Sequence, residues 1–438
     1  MRKLTTLRLS KQTNIYEYFS SKSNGVLSRL IDVISLFKKN ELKNQQRHGE
    51  IPVIFAITQT GRGNGGVESI TRIIERLQKI KPIIVTQKKL PINDRWYKAG
   101  AKVFVWNFSR KKENLKEAWN GKIKLVKLLI KNNKSMYKLA KKTSSSVVHC
   151  NDIYSFWFNA FGAKAAGASV VFNVRDTKPL NQPYGWKWKI ASSVCDRFLV
   201  LSREMCRELA PRIALLESQR SKFDYIYSVV DPADKNPVDP DTQEKIRNRL
   251  EIPPNSFVIG YVAAVNPKKA QLSLIEQAGP HLQSSIPEAN LYCIGEFKPE
   301  SEDYSRRCLE AIKKLGLEST IIFPGYTSEI SCWYHALDIT IITSIREGLA
   351  RSMIESLACG TPVVSFDVCS SKEILEEGNC GFVVPQGDYS ALVDRISELA
   401  SDEKKRQELG ENGFQIARKL FDPESIVKQY EDLCLSLV

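Results

Sequence analysis

The feature that most constrains this chain is a rhythm. Short apolar runs alternate with longer stretches of helical spacing along most of its length. From Ile51 the runs are 51–57 (IPVIFAI), 82–85, 102–106, 146–149, 169–174 and 197–202, with helical patterns between most of them, as at 67–79 and 153–167. Strands separated by helices build a parallel sheet with helices on both faces. Segment 231–241 (DPADKNPVDPD) reads as a polar hinge. A second series then follows at 257–265, 290–295, 320–325, 339–343 and 362–366. The expected fold is α/β: two doubly wound domains, at 51–230 and 236–420, facing a cleft. Ligands of such sheets sit at the carboxyl ends of the strands. Residues 1–50 are left unassigned, although 26–39 has helical spacing.

Charge divides the chain along the same line. Residues 1–235 carry 44 Lys+Arg against 18 Asp+Glu, whereas residues 236–438 carry 20 against 31. The basic half should attract an anionic partner. The densest part is 110–142, with twelve basic and two acidic residues, among them KIKLVKLLIK at 122–131. That stretch is either a helix packed on the first domain with a solvated face or a surface for anionic lipid. No nucleic-acid motif accompanies it, so nucleic acid is not expected as a partner. No run of about 18 apolar residues and no secretory leader pattern is present, and the expected location is cytoplasmic. The ten cysteines and four histidines form no cluster with zinc spacing, and no metal or cofactor is expected.

Four segments carry chemistry. In 344–367 (SIREGLARSMIESLACGTPVVSFD), a strand ends in a loop holding Glu347 and Gly348, and a short helix carries Glu355 before Gly360 stops it. A helix entrance offers free amides to phosphate. One carboxylate can hold a ribose diol and the other can stabilise charge at an anomeric carbon. Two surface glutamates on an ordinary helix would share this spacing. In 61–68 (GRGNGGVE), between strand and helix, glycines let backbone approach a ligand or simply make a tight turn. Segment 260–271 (GYVAAVNPKKAQ) places Lys269 after the first strand of the second series. At the first domain's strand ends stand Asp152 and the pair Arg175–Asp176, which read as helix caps or as ligand contacts.

These segments resemble glycosyltransferase family 4, retaining enzymes of the GT-B fold with an E-x7-E motif. Ser344, Glu347-Gly348, Glu355, Ala358, Gly360, Pro362-Val363-Val364, Gly381-Phe382-Val383-Val384 and Gly387-Asp388 follow the family order. The resemblance spans roughly 51–438 and implies that segment 421–438 is a last helix crossing back to the first domain. It implies donor-side roles for Gly65, Gly66, Lys269, Gly295, Gly325, Tyr326, Glu347, Gly348, Leu349 and Glu355, with Glu347 and Lys269 at the reacting centre. Asp152, Arg175 and Asp176 fall on the acceptor side. Three positions depart from the pattern: Ala264 replaces an arginine that grips diphosphate, Ala270 a glycine, and Arg175 a histidine. An arginine cannot serve as a base at neutral pH. Arg346, Lys268, Arg351 and Arg62 are candidates to replace the missing contact. The implied activity is transfer of a hexose-type sugar, with retention, from a UDP- or GDP-sugar to a glycan or lipid-linked acceptor. Its setting would be cell-surface polysaccharide or glycolipid synthesis at the inner membrane face. An epimerase of the same architecture and a non-catalytic nucleotide-sugar-binding subunit are the alternatives.

Overall fold

In a computed structural model, residues 50–58, 65–106, 118–178, 181–230 and 236–438 are described, with the side chains of 118–124 excepted. Part of the loop 61–68 including Arg62, the helical pattern at 26–39, the basic residues 110–117 and hinge residues 231–235 lie outside them.

Two all-parallel sheets carry the fold. The first has seven strands in the order β3-β2-β1-β4-β5-β6-β7. They are β1 Ile51–Ile57, β2 Ile80–Thr86, β3 Lys102–Val105, β4 Val147–Cys150, β5 Ser169–Asn173, β6 Arg197–Val200 and β7 Phe223–Tyr225. The second has six, in the order β10-β9-β8-β11-β12-β13. These are β8 Phe257–Val262, β9 Ala289–Ile294, β10 Ile321–Gly325, β11 Ile339–Ile342, β12 Val363–Phe366 and β13 Gly381–Val384. Helices cover both faces, which is why the central strands read as unbroken apolar runs: Val53 to Ile57 and Ile339 to Ile342 are wholly buried. The polar segment 231–241 is not hinge to its end. Asp239 caps helix Pro240–Arg249 by accepting from the Thr242 amide, and a proline at the first helical position lacks only a donor that would be orphaned anyway.

Each sheet reverses its strand order once, between β1 and β4 in the first and between β8 and β11 in the second. Connections leave such a point in opposite directions and open a crevice at the strands' carboxyl ends. Helix Pro423–Leu435 returns to the first sheet. There the Tyr430 hydroxyl lies 2.9 Å from His149 Nδ1 on β4, and Glu431 accepts from the amides of Gln78 and Lys79 at 2.7 and 2.6 Å.

Candidate active site at the switch points

The second sheet's crevice is built from the loops after β8 and β11. The Ile345 amide donates to the Lys268 carbonyl at 2.8 Å and joins the two loops. Tyr261 and Thr343 donate their hydroxyls to the Lys269 carbonyl, fixing that backbone from below. Lys269 Nζ consequently points at Glu347 Oε1, 2.5 Å away, with Lys268 Nζ 3.7 Å from the other carboxylate oxygen. Glu347 is only 7% exposed. Burial alone would raise its pKa, but the charges of Lys269 and Lys268 outweigh burial and hold the carboxyl below its ordinary range. The site therefore keeps a buried anion ready beside a half-buried cation.

Helix Arg351–Ala358 starts directly after this loop. Glu355, one turn in, is 8% exposed. Its Oε1 takes Arg351 Nε at 2.8 Å, and its Oε2 accepts the Tyr334 hydroxyl at 3.1 Å. Leu349 is buried core rather than open lining. At the neighbouring strand ends Gly295 and Gly325 have φ of +155° and +85°, and the Gly295 amide donates to the Gly325 carbonyl at 3.0 Å. A Cβ on Gly295 would lie 2.2 Å from the Ala263 carbonyl, so only glycine fits there. Tyr326 beside them is 65% exposed. Ala270 sits at φ +58°, so the left-handed turn persists although its glycine does not.

The first sheet faces these groups closely. Thr177 Oγ1 donates to the Glu347 carbonyl at 3.3 Å, and a Cβ on Gly348 would come within 2.5 Å of the Arg175 carbonyl. Gly348 is thus a close-approach glycine between the two halves. Asp176 pairs with Lys268 at 3.0 Å and lies 3.8 Å from Arg346 Nε. Burial first, and then the like charge of Arg351, draws Arg175 down to about 10, with Asp152 opposing. Asp152 caps helix Ile153–Ala165, accepting from the amides of Tyr154 and Ser155 and from Thr58 Oγ1. Gly65 opens helix Gly65–Ile74, with Gly66 next, and a Cβ on Gly65 would meet Arg351 Cδ at 3.6 Å. Glu68 turns away from the cleft, into ion pairs with Arg72 and Arg95.

Glu347, Lys269, Glu355, Gly65, Arg175 and Asp176 therefore converge. Tyr334 and the Lys268–Asp176 pair escaped the sequence reading. The pairing of Arg351 with Glu355 was foreshadowed only by their spacing of four on one helix.

Residues 242–416 match the family model described as glycosyl transferases group 1. The putative glycosyltransferase EpsD of Bacillus subtilis is 30% identical over 203 residues, 45% of this chain and 52% of that protein. The capsular polysaccharide biosynthesis glycosyltransferase CapM of Staphylococcus aureus is 26% identical over 179 residues, 41% of this chain and 46% of CapM. The chain thus spans about half the length of these curated relatives. Among solved structures, Anabaena Alr3699/HepE in complex with UDP superposes with a TM-score of 0.73 at 19% identity, over 88% of this chain and 100% of that one. The architecture, two Rossmann-like domains, is that of the GT-B fold.

Proposed function

We propose that this chain is a retaining glycosyltransferase of family 4, taking a hexose-type sugar from a UDP- or GDP-sugar. The observation that carries the reading is the pairing of buried Glu347 with half-buried Lys269 at the second sheet's switch point, with Thr177 and the Arg175 backbone against that loop and Gly65 against Arg351. The group 1 match over that half and the UDP bound by Alr3699/HepE support it.

Glu347, kept ionised, accepts hydrogen bonds from donor-sugar hydroxyls and stabilises positive charge at the anomeric carbon. Lys269 has donors beyond the one spent on Glu347 and turns them to the departing diphosphate. Glu355 holds the ribose, its second lone pairs remaining available beside Arg351 and Tyr334. No protein nucleophile is required. The leaving phosphate oxygen takes the acceptor's proton on the face it vacates, so configuration is retained. Lysine and backbone amides supply the countercharge, and no divalent metal is needed.

The acceptor is a glycan or lipid-linked sugar, met at the cytoplasmic face of a membrane. Supporting this, helix Ala118–Thr143 exposes Val126, Ile130 and Tyr137 among Lys127, Lys131, Lys134 and Lys138. No helix among the described residues is long and apolar enough to cross a membrane. Binding to anionic vesicles should fall away at 1 M salt, where the Debye length is about 3 Å. Equal binding to neutral vesicles would refute the surface assignment.

The test of the activity is a thermal-shift panel of nucleotide sugars, followed by transfer assays with NMR of the product's anomeric proton. Glu355→Ala should weaken nucleoside diphosphate binding and Glu347→Ala should mainly lower turnover. An inverted product, or a donor epimerised with no acceptor present, would overturn the proposal. Abolition by EDTA with rescue by manganese would overturn the metal-free step.

A further inference from the structure

Arg351 brings two buried, unpartnered donors to the cleft. Its Nε is paired with Glu355 at 2.8 Å, yet Nη1 and Nη2 are both shut off from solvent and have no hydrogen-bond partner. Buried donors without partners are rare, because each gives up its hydration for nothing. The side chain runs from the second sheet's helix to Gly65, the first residue of helix Gly65–Ile74. Arg175 lies close enough for the two guanidinium groups to repel each other. Lys269 is spent on Glu347 and Lys268 on Asp176, whereas Arg346, 3.8 Å from Asp176, leaves one buried donor, Nε, without a hydrogen bond against the two of Arg351. The loop after β8 presents Ala264 and contributes no cation at that position.

We propose that Arg351 is a diphosphate-binding residue that replaces the missing arginine of the β8 loop. Its two free Nη groups grip non-bridging phosphate oxygens of the donor, while Glu355 holds its Nε. The planar fork suits two oxygens at once, which a lysine could not match. Glu355 thereby acts twice, as a ribose contact and as the group that aims Arg351. The inference rests on the donor reading only for the source of the phosphate, since the unsatisfied fork calls for a polyanion in any case.

The probe is inorganic pyrophosphate, titrated by calorimetry into the full chain at 0.15 M salt, with UDP, GDP, uridine and guanosine as further arms. Arg351→Lys keeps a charge beside Glu355, and Arg351→Met keeps the bulk. Arg306→Gln, at an exposed surface pair with Asp303, controls for general loss of charge. Expected is a loss of pyrophosphate affinity of roughly 10-fold for Arg351→Lys and 100-fold for Arg351→Met. The better-binding nucleoside diphosphate should lose affinity in parallel, with the free nucleoside and Arg306→Gln unchanged. Failure of the wild type to bind pyrophosphate, or Arg351 variants within threefold of it, would overturn the proposal. Loss of pyrophosphate with diphosphate nucleotide affinity intact would overturn the donor assignment. A chain that binds pyrophosphate through Arg351 but transfers no sugar would sink the transferase reading and leave this one standing.

Discussion

His149 makes the fold's acid sensitivity calculable. It is fully buried on β4, between the rings of Phe55 and Tyr430, with centroids 5.6 Å away in each case. Burial lowers its pKa to about 3, with Arg175 acting in the same direction and Asn151 against it. The unfolded chain takes up the proton near pH 6.5, the folded one only near 3. A depressed histidine therefore contributes stability that is complete above about 6.5 and is lost progressively as pH falls towards 3. Between pH 7.5 and 5.0 the loss is about 2 kcal/mol, at about 1.4 kcal/mol per unit below 6.5. His149→Phe removes that term. It takes the His149 partner from the Tyr430 hydroxyl and leaves only the weak Cys434 thiol, costing about 1–3 kcal/mol at both pH values, nearly constant with pH. Urea unfolding of both proteins at the two pH values isolates the histidine, because every other titratable group is common to them. The wild type should lose about 2 kcal/mol more than the variant. Equal losses would mean that His149 is hydrated or paired in the folded protein.

Three further outcomes follow from particular atoms. Ala270→Gly relieves a left-handed residue, worth about 1–2 kcal/mol, against about 0.5–1 kcal/mol of added chain entropy, so the denaturation midpoint should rise slightly at unchanged slope. Gly348→Ala forces its loop away from Arg175 and should reduce kcat/KM roughly 100-fold in transfer assays, with the melting temperature little changed. Glu431→Ala leaves the amides of Gln78 and Lys79 without an acceptor and should cost about 2–4 kcal/mol in urea titration.

The two sheets were legible because parallel strands buried on both faces must be apolar throughout, and helical spacing between them fixes the connection type. The positions of Glu347, Lys269 and Glu355 followed from motif order. What local pattern could not convey was reach. Asp176 finds Lys268 across 92 residues, and Thr177 finds Glu347 across 170. Gly348 looked like a ligand contact, and its close fit against the Arg175 carbonyl depends on the other half of the molecule. Which of Arg346, Lys268, Arg351 and Arg62 could replace the contact missing at Ala264 was likewise not ranked by the sequence. Arg351, Arg346 and Lys268 are equally basic in the sequence; the fold ties Lys268 to Asp176 and leaves Arg351 with two buried unpartnered donors against one on Arg346.

The return of helix Pro423–Leu435 to the first sheet sets a timetable. His149 meets Tyr430 only 281 residues later, and the Gln78 amide waits 353 residues for Glu431. At about 5–20 residues per second, the ribosome needs on the order of 15–55 seconds to supply Tyr430 after His149 has emerged. During that interval the second sheet can complete its own pairings, while the first keeps Phe55 and His149 without their cover. Vectorial synthesis would thus reverse the usual order, with the half made first finishing last. Pulse proteolysis of stalled nascent chains would register the first half's protection only once residue 431 is available to fold.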